Sequence, residues 1–183
     1  KIDIGLLNRI IIDDVLLDDQ SGKEMLKITR LSAKFDIIPL FNGKITISSV
    51  QLFGFNINLN KPAPHMEPNF KFVLDAFASK DTVKTKKDID LRINSILIRR
   101  GKLSYDVLSE EETPGKFNPQ HIKLHNIIAN ISLKALQNDS INAAIKRLSV
   151  DEQSGFELRK LSLKVIANNK GMKIENFAIE MPG

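Results

Sequence analysis

The sequence predicts an all-β fold: a mostly antiparallel, repetitive, curved sheet forming an open groove or taco-like half-barrel. One short helix is inserted near residues 67–78. Three observations predict this. An apolar spacing, h-x-h-x-x-h-x-h, recurs eight times. The segments that carry it have strand length and end in Gly, Asn, Asp or Pro turns. One stretch, residues 61–89, breaks the pattern and reads as a Pro-rich loop followed by a helix.

The copies start at Ile10, Leu26, Ile45, Leu91, Ile122, Ala143, Phe156 and Met172. The clearest read IIIDDVLL, LKITRLSA, ITISSVQL, LRINSILI, IKLHNIIA, FELRKLSL and MKIENFAI. In each, two apolar positions alternate, the phase slips by one residue, and two more alternate. Alternation marks a strand with one buried face. In a flat strand the slip would turn the second pair outward. A β-bulge or a tight corner returns both pairs to one face and bends the sheet.

Taken in order, residues 1–18 read as one or two strands with Ile10, Ile12, Val15 and Leu17 as the apolar set. Asp18-Asp19-Gln20-Ser21-Gly22 is a turn. Leu26 to Ile38 is a strand that slips between Ile28 and Leu31, and Pro39 to Gly43 is a connection. Residues 44–60 read as a strand, a slip and a second strand. In the second, Phe53, Phe55, Ile57 and Leu59 alternate with Gly54, Asn56 and Asn58. Pro62, Pro64 and Pro68 then lead into Phe70, Val73, Leu74 and Phe77, spaced as one apolar stripe of a short helix. Such a helix is expected to cap or plug the apolar face of the sheet. Ser79 to Asp88 is polar and expected to be a mobile loop.

Strands resume at Ile89. Arg100-Gly101 reads as a turn between Leu91–Ile98 and Leu103–Val107. Residues 109–120 form a hairpin loop, and His121 to Leu136 a strand pair. Gln137-Asn138-Asp139 is a turn. Three strands follow, Ser140–Val150, Phe156–Ala167 and Met172–Met181, with a hairpin turn at Asn168-Asn169-Lys170-Gly171. A duplication is visible too. Asp18-Asp19-Gln20-Ser21-Gly22 precedes one strand and Asp151-Glu152-Gln153-Ser154-Gly155 another, with matching strand phrases after each. We treat residues 1–183 as one segment of a repetitive β-groove, with 61–89 as its insert. The start at Lys1, already in strand-like sequence, and the stop just after a strand suggest an internal segment.

Composition narrows the function. Ten Phe, one Tyr and no Trp mean that the apolar mass is mostly aliphatic and spread over many strands. The formal charge of +5 comes from Lys and Arg alternating with apolar positions, as on the solvated face of half-buried strands. No basic run is interleaved with aromatics, so nucleic acid is not an expected partner. The absence of Cys excludes disulfides. No apolar run is long enough for a membrane-spanning helix.

Little chemistry is legible. His121 and His125 are four apart on a predicted strand, roughly 13 Å distant and too far to share a metal. Asp13-Asp14 and Asp18-Asp19 read as carboxylates solvated near turns, and Glu110-Glu111-Glu112 as a solvated loop run. No P-loop, nucleophile elbow or dinucleotide glycine pattern is present. No enzyme, no cofactor and no metal site is expected.

Three phrases carry a family resemblance. QSGFELRKLSLKV followed by MKIENFAIEMPG is similar to the repeat of the AsmA/TamB group, and so is DDQSGKEMLKITRLSAKFDIIPLFNGKITISSVQLFGFNINLNK. NFKFVLDAFASKD leading into DLRINSILIRRGKLSYD resembles the short helix and following strands of the N-terminal half of TamB-like proteins. The resemblance implies the periplasmic portion of an inner-membrane-anchored envelope protein of a diderm bacterium. It implies a β-groove that moves phospholipid toward the outer membrane and supports its biogenesis. It also implies an outer-membrane barrel partner, TamA-like, engaged through regions outside these residues.

In that reading acyl chains lie against Ile45, Ile47, Phe55, Ile57, Leu59, Ile93, Ile96, Ile98, Ile127, Ile131, Leu161, Leu163, Ile174 and Phe177. Hydrophobic contact is non-directional, so no single site and no catalytic residue is required. The competing expectation is a closed β-sandwich. It would act as a non-enzymatic scaffold or protein-interaction module in outer-membrane protein assembly, with the same residues as ordinary core and its edges open to partner strands.

Overall fold

The computed structural model describes residues 2–5, 8–41, 46–78, 92–137, 140–168 and 170–183. Among these residues ten strands form one sheet. They are β1 (Ile2–Gly5), β2 (Arg9–Asp18), β3 (Glu24–Asp36), β4 (Thr46–Lys61), β5 (Arg92–Ile93), β6 (Ser95–Val107), β7 (His121–Gln137), β8 (Ser140–Glu152), β9 (Glu157–Asn168) and β10 (Gly171–Glu180). Two helices interrupt them, α1 (Ile37–Leu40) and α2 (Lys71–Ala78).

The spatial order is β1-β2-β3-β4-β6-β7-β8-β9-β10, with β5 beside β4. Every neighbour is antiparallel except where β4 meets β5 and β6, which run parallel to it. Parallel neighbours need a long crossover, and the Pro-rich insert with α2 supplies it. β1 and β10 do not meet, so the sheet is open, curved and all-β, as the spacing predicts. No second sheet packs on it among the described residues. The closed sandwich would need one.

No large side chain is fully enclosed among the described residues. The well-buried apolar residues, Met25, Ile28, Phe55, Val107, Ala129 and Leu158, are scattered over five strands rather than gathered in a centre. This is the burial of a single layer.

Several sequence expectations change. β6 runs unbroken through Arg100-Gly101, so that pair is a bend within a strand and not a turn. Arg100 takes the left-handed backbone, φ 56°. A Cβ on Gly101 would lie 2.4 Å from the Phe55 ring, so glycine lets the two strands approach. β7 is likewise one strand, bent at Asn126 (φ 53°), rather than a pair. Residues 46–61 are one strand as well, and Phe53 does not share the face of Phe55. Gly54 (φ 66°) sits between them, leaving Phe53 39% exposed and Phe55 8%. Asp13-Asp14 falls in mid-β2 rather than near a turn, and Asp13 pairs with Arg30. Ile37 and Ile38 start α1 instead of ending the strand, and both are exposed.

Helix α2 falls in the expected insert but does not plug the apolar face. Leu74, on the expected stripe, is 52% exposed. Asn69 docks the helix start by bonding the Asn60 amide (2.9 Å) and the Asn58 carbonyl (3.1 Å) at the end of β4. The side chain of Phe77, residues 79–91, Asn138-Asp139 and Asn169 lie outside the described residues.

Candidate functional site

The sheet bends both at phase slips and between them. Asp14, Gly54, Arg100 and Asn126 all have positive φ. The pairs Asp13↔Arg30 and Val15↔Ile28 set Asp14 opposite Thr29; Arg30↔Phe53 and Ile28↔Phe55 set Gly54 opposite the same residue. Phe53↔Arg99 and Gly101↔Ile127 carry the line on to Arg100 and Asn126. Four left-handed residues thus form a crease across β2, β4, β6 and β7. On β3 the Thr29 hydroxyl crosses it, donating to the Gly54 carbonyl at 3.1 Å.

Burial follows the slips and the bend at Arg100. Thr29-Arg30, Arg99-Arg100, His125-Asn126 and Lys146-Arg147 are consecutive exposed pairs, and the residues flanking each pair are buried or half-buried. In the copies that start at Leu26, Ile122 and Ala143, both apolar pairs therefore return to one face.

On that face the strand register assembles rows. One runs Ile12–Leu31–Leu52–Ile98–Ala129–Leu148–Leu161–Ile179, from β2 to β10 without a polar residue. A second runs Ile10–Ala33–Val50–Ile96–Ile131–Ile145–Leu163. Beyond the crease lies Leu17–Leu26–Ile57–Leu103–Leu124, ending on Glu152.

The predicted groove residues distribute over these rows. Ile96, Ile98, Ile131, Leu161 and Leu163 occupy the two long ones; Phe55, Ile57, Leu59 and Ile127 lie across the crease. Ile47 pairs with Ile93 at the far end of β4. Ile174 and Phe177 are on the edge strand, 51% and 62% exposed. Ile45 lies outside the described residues. Leu31, Val50, Leu52, Ala129 and Leu148 belong to the centre of the rows and were not singled out. Four of them carry apolar positions of the eight-fold spacing and Ala129 closes a copy, so the signal was present.

The opposite face mixes polar and charged side chains with Phe53 and Leu97. Arg30 bonds Asp13 through Nε (2.6 Å) and Nη2 (3.3 Å), and Arg100 lies 5.2 Å from the Phe53 ring centroid. A shallow cleft of about 580 Å³ lies here, lined by Arg30, Gln51, Phe53, Leu97 and Arg99 among others.

Titratable groups collect elsewhere, at the β6–β7 hairpin end. His121 is 5% exposed, with Nδ1 3.0 Å from Asp106 Oδ1 and Nε2 3.0 Å from the Glu110 carbonyl oxygen. Glu112, expected to be solvated, accepts from Lys123 at 3.0 Å, and that ammonium holds its carboxyl below the usual glutamate range. Asp106, Glu112 and His121 come close enough to be considered as metal ligands. The sequence hid this cluster because β6 and its loop supply two members and β7 the third. His125, four residues on, is exposed and 3.9 Å from Asp151. No helix among the described residues is long and apolar enough to cross a membrane. Neither a protein-family model nor a curated protein matches the chain.

Proposed function

We propose that this chain is a segment of an apolar β-groove that carries phospholipid acyl chains between the inner and outer membranes of a diderm bacterium. It would sit in the periplasmic part of an AsmA/TamB-like envelope protein. The observation that carries the reading is an unbroken apolar row from β2 to β10, with a second from β2 to β9 beside it, on one open sheet. An uncovered row is unfavourable in water: complete burial of one Ile or Leu side chain is worth about 1.5–3 kcal/mol. Acyl chains laid across the strands would recover that energy without any directional contact. The slips at Thr29-Arg30, His125-Asn126 and Lys146-Arg147 support it, each an exposed pair between buried or half-buried residues. The order of the AsmA/TamB-like phrases along the sequence points the same way.

Sheet spacing of about 4.8 Å gives roughly 40 Å of groove for the eight strands of the long row, part of a path between two membranes. Native mass spectrometry with lipid extraction tests the reading on the wild type and on an Ile57→Asp, Ile96→Asp double variant. Bound phospholipid in the wild type, lost in a variant that keeps its strand circular dichroism, is the expected outcome. A lipid-free wild type together with an unfolded variant would mean that these residues are ordinary core. The open β1 and β10 edges would then favour a scaffold that recruits partner strands.

A further inference from the structure

We infer that His121 is a proton-operated latch holding the 108–120 loop against the end of the β6–β7 hairpin. Both ring nitrogens face acceptors at 3.0 Å: the Asp106 carboxylate on β6 and the Glu110 carbonyl in the loop. A neutral imidazole has one N–H and one lone pair, so it satisfies one acceptor and opposes the other. An imidazolium donates to both. The ring is 5% exposed, so water does not readily replace a lost bond.

The charges around the ring fit a proton. Asp106 and Glu112 are the facing carboxylates, and Lys123 on β7 holds Glu112. On β4, Lys61 gives its ammonium to the Pro64 carbonyl at 2.6 Å. Glu152, at the end of β8, is taken by the Ser154 amide at 2.8 Å and by its hydroxyl. Two carboxylates, one ammonium and one imidazolium balance. A divalent ion would have to displace the proton and also compete with Lys123 for Glu112, so the proton is the better occupant.

The Asp106 bond raises the His121 pKa above 6.5; burial opposes this, and the Glu110 carbonyl and the charges of Asp106 and Glu112 add to it. A raised folded-state value means that the latch holds fully below the ordinary histidine range and is lost as pH rises through the raised value. The loop it holds carries exposed Leu108 and Phe117. Leu108 is tied separately, its amide donating to the Lys61 carbonyl at 3.0 Å, so release would begin beyond Leu108.

An NMR titration of the His121 side chain and the backbone amides of the whole chain tests this. The expected result is a His121 midpoint above the ordinary histidine value, shared by amides of residues 109–120. Asp106→Asn should lower that midpoint, and His121→Gln should abolish the loop transition. Should His121→Gln fail to fold, Asp106→Asn, which keeps the side-chain shape, carries the test alone. A His121 midpoint at or below the ordinary histidine value, or loop amides that ignore it, would overturn the latch. So would equimolar Zn²⁺ that binds one to one and abolishes the His121 titration.

Discussion

The β2–β3 and β8–β9 hairpins share a turn but not a way of bending. In the first, the Asp19 amide donates to the Lys23 carbonyl at 2.8 Å and the Gly22 amide to the Asp19 carbonyl at 2.9 Å. In the second, the Glu152 amide donates to Phe156 at 2.8 Å and Gly155 to Glu152 at 2.9 Å. Each acidic side chain accepts from the amide and hydroxyl of the serine two residues on. Each glycine takes the left-handed backbone, φ 79° and 100°. Beyond the turns the likeness ends. β2 crosses its slip with Asp14 at φ 56° and keeps its register with β3. β8 and β9 have no left-handed residue among those described and absorb their slips as register shifts between Ile145/Leu148 and Leu148/Val150. A turn is a local property that four residues specify. How a slip is resolved depends on place in the sheet: Asp14 and Gly54 take the left-handed backbone on either side of Thr29, while β8, although it abuts Asn126 of β7, and β9 shift register.

The largest expected effect tests that dependence. Gly54→Val imposes a side chain on a left-handed backbone and puts Cβ 2.7 Å from the Thr29 hydroxyl. Left-handed strain of about 1–2 kcal/mol and overpacking of about 1–3 kcal/mol give a loss of about 3 kcal/mol. Arg147→Val, at the slip of β8, should stay within about 0.5 kcal/mol, because the site is exposed and needs no special backbone. Urea midpoints at constant m-value measure both. Equal losses would mean that the crease is no more constrained than the strands beyond it.

The h-x-h-x-x-h-x-h spacing made the strands and their apolar face legible, because period and burial are coupled residue by residue. It made the bend legible at Asp14, Asn126 and Asn176, all at the second slip position and all with φ near 55°. Arg100 and Gly54 were harder to read. A bulky cation in a left-handed backbone carries no local signal, and Gly54 sits inside clean period-2 alternation whose phase only Thr29 across the strand betrays. The Asp106–Glu112–His121 cluster was illegible for the same reason: pairing across the sheet, not spacing along the chain, creates it.

A smaller effect separates the two turn acids. Glu152 is 5% exposed, and removing it leaves the Ser154 donors unmatched in a half-buried place. Glu152→Ala should cost about 1–3 kcal/mol by thermal unfolding. Asp19→Ala should cost less, since water reaches the exposed Ser21 donors. The reverse order would mean that the bond from Asn69 to Asp19, 3.4 Å across to the insert, matters more than the turn itself.

The smallest effect distinguishes what holds each carboxylate. The Ser21 hydroxyl and the Lys23 amide, with lesser bonds from the Ser21 amide and Asn69, bring Asp19 from 3.8 to about 2. Burial pushes Glu152 up, yet the Ser154 hydroxyl and amide more than offset it and leave the carboxyl below its usual 4.5. Glu175 on β10 also falls to about 2, but through the ammoniums of Lys173 and Lys164. All three are depressed, so each contributes stability above its ordinary value and loses it as pH falls through the folded one. Salt distinguishes them. At ~1 M the screening length shrinks to about 3 Å, which weakens exposed ion pairs and leaves bonds from neutral donors largely intact. Carboxyl-carbon NMR titration at low and high salt should move the Glu175 midpoint up toward the ordinary glutamate range and leave Asp19 and Glu152 nearly in place. A Glu152 that moved with Glu175 instead would mean that the charged Lys123–Glu112–His121 group reaches it, and the two turns would differ in electrostatics despite their shared hydrogen bonds.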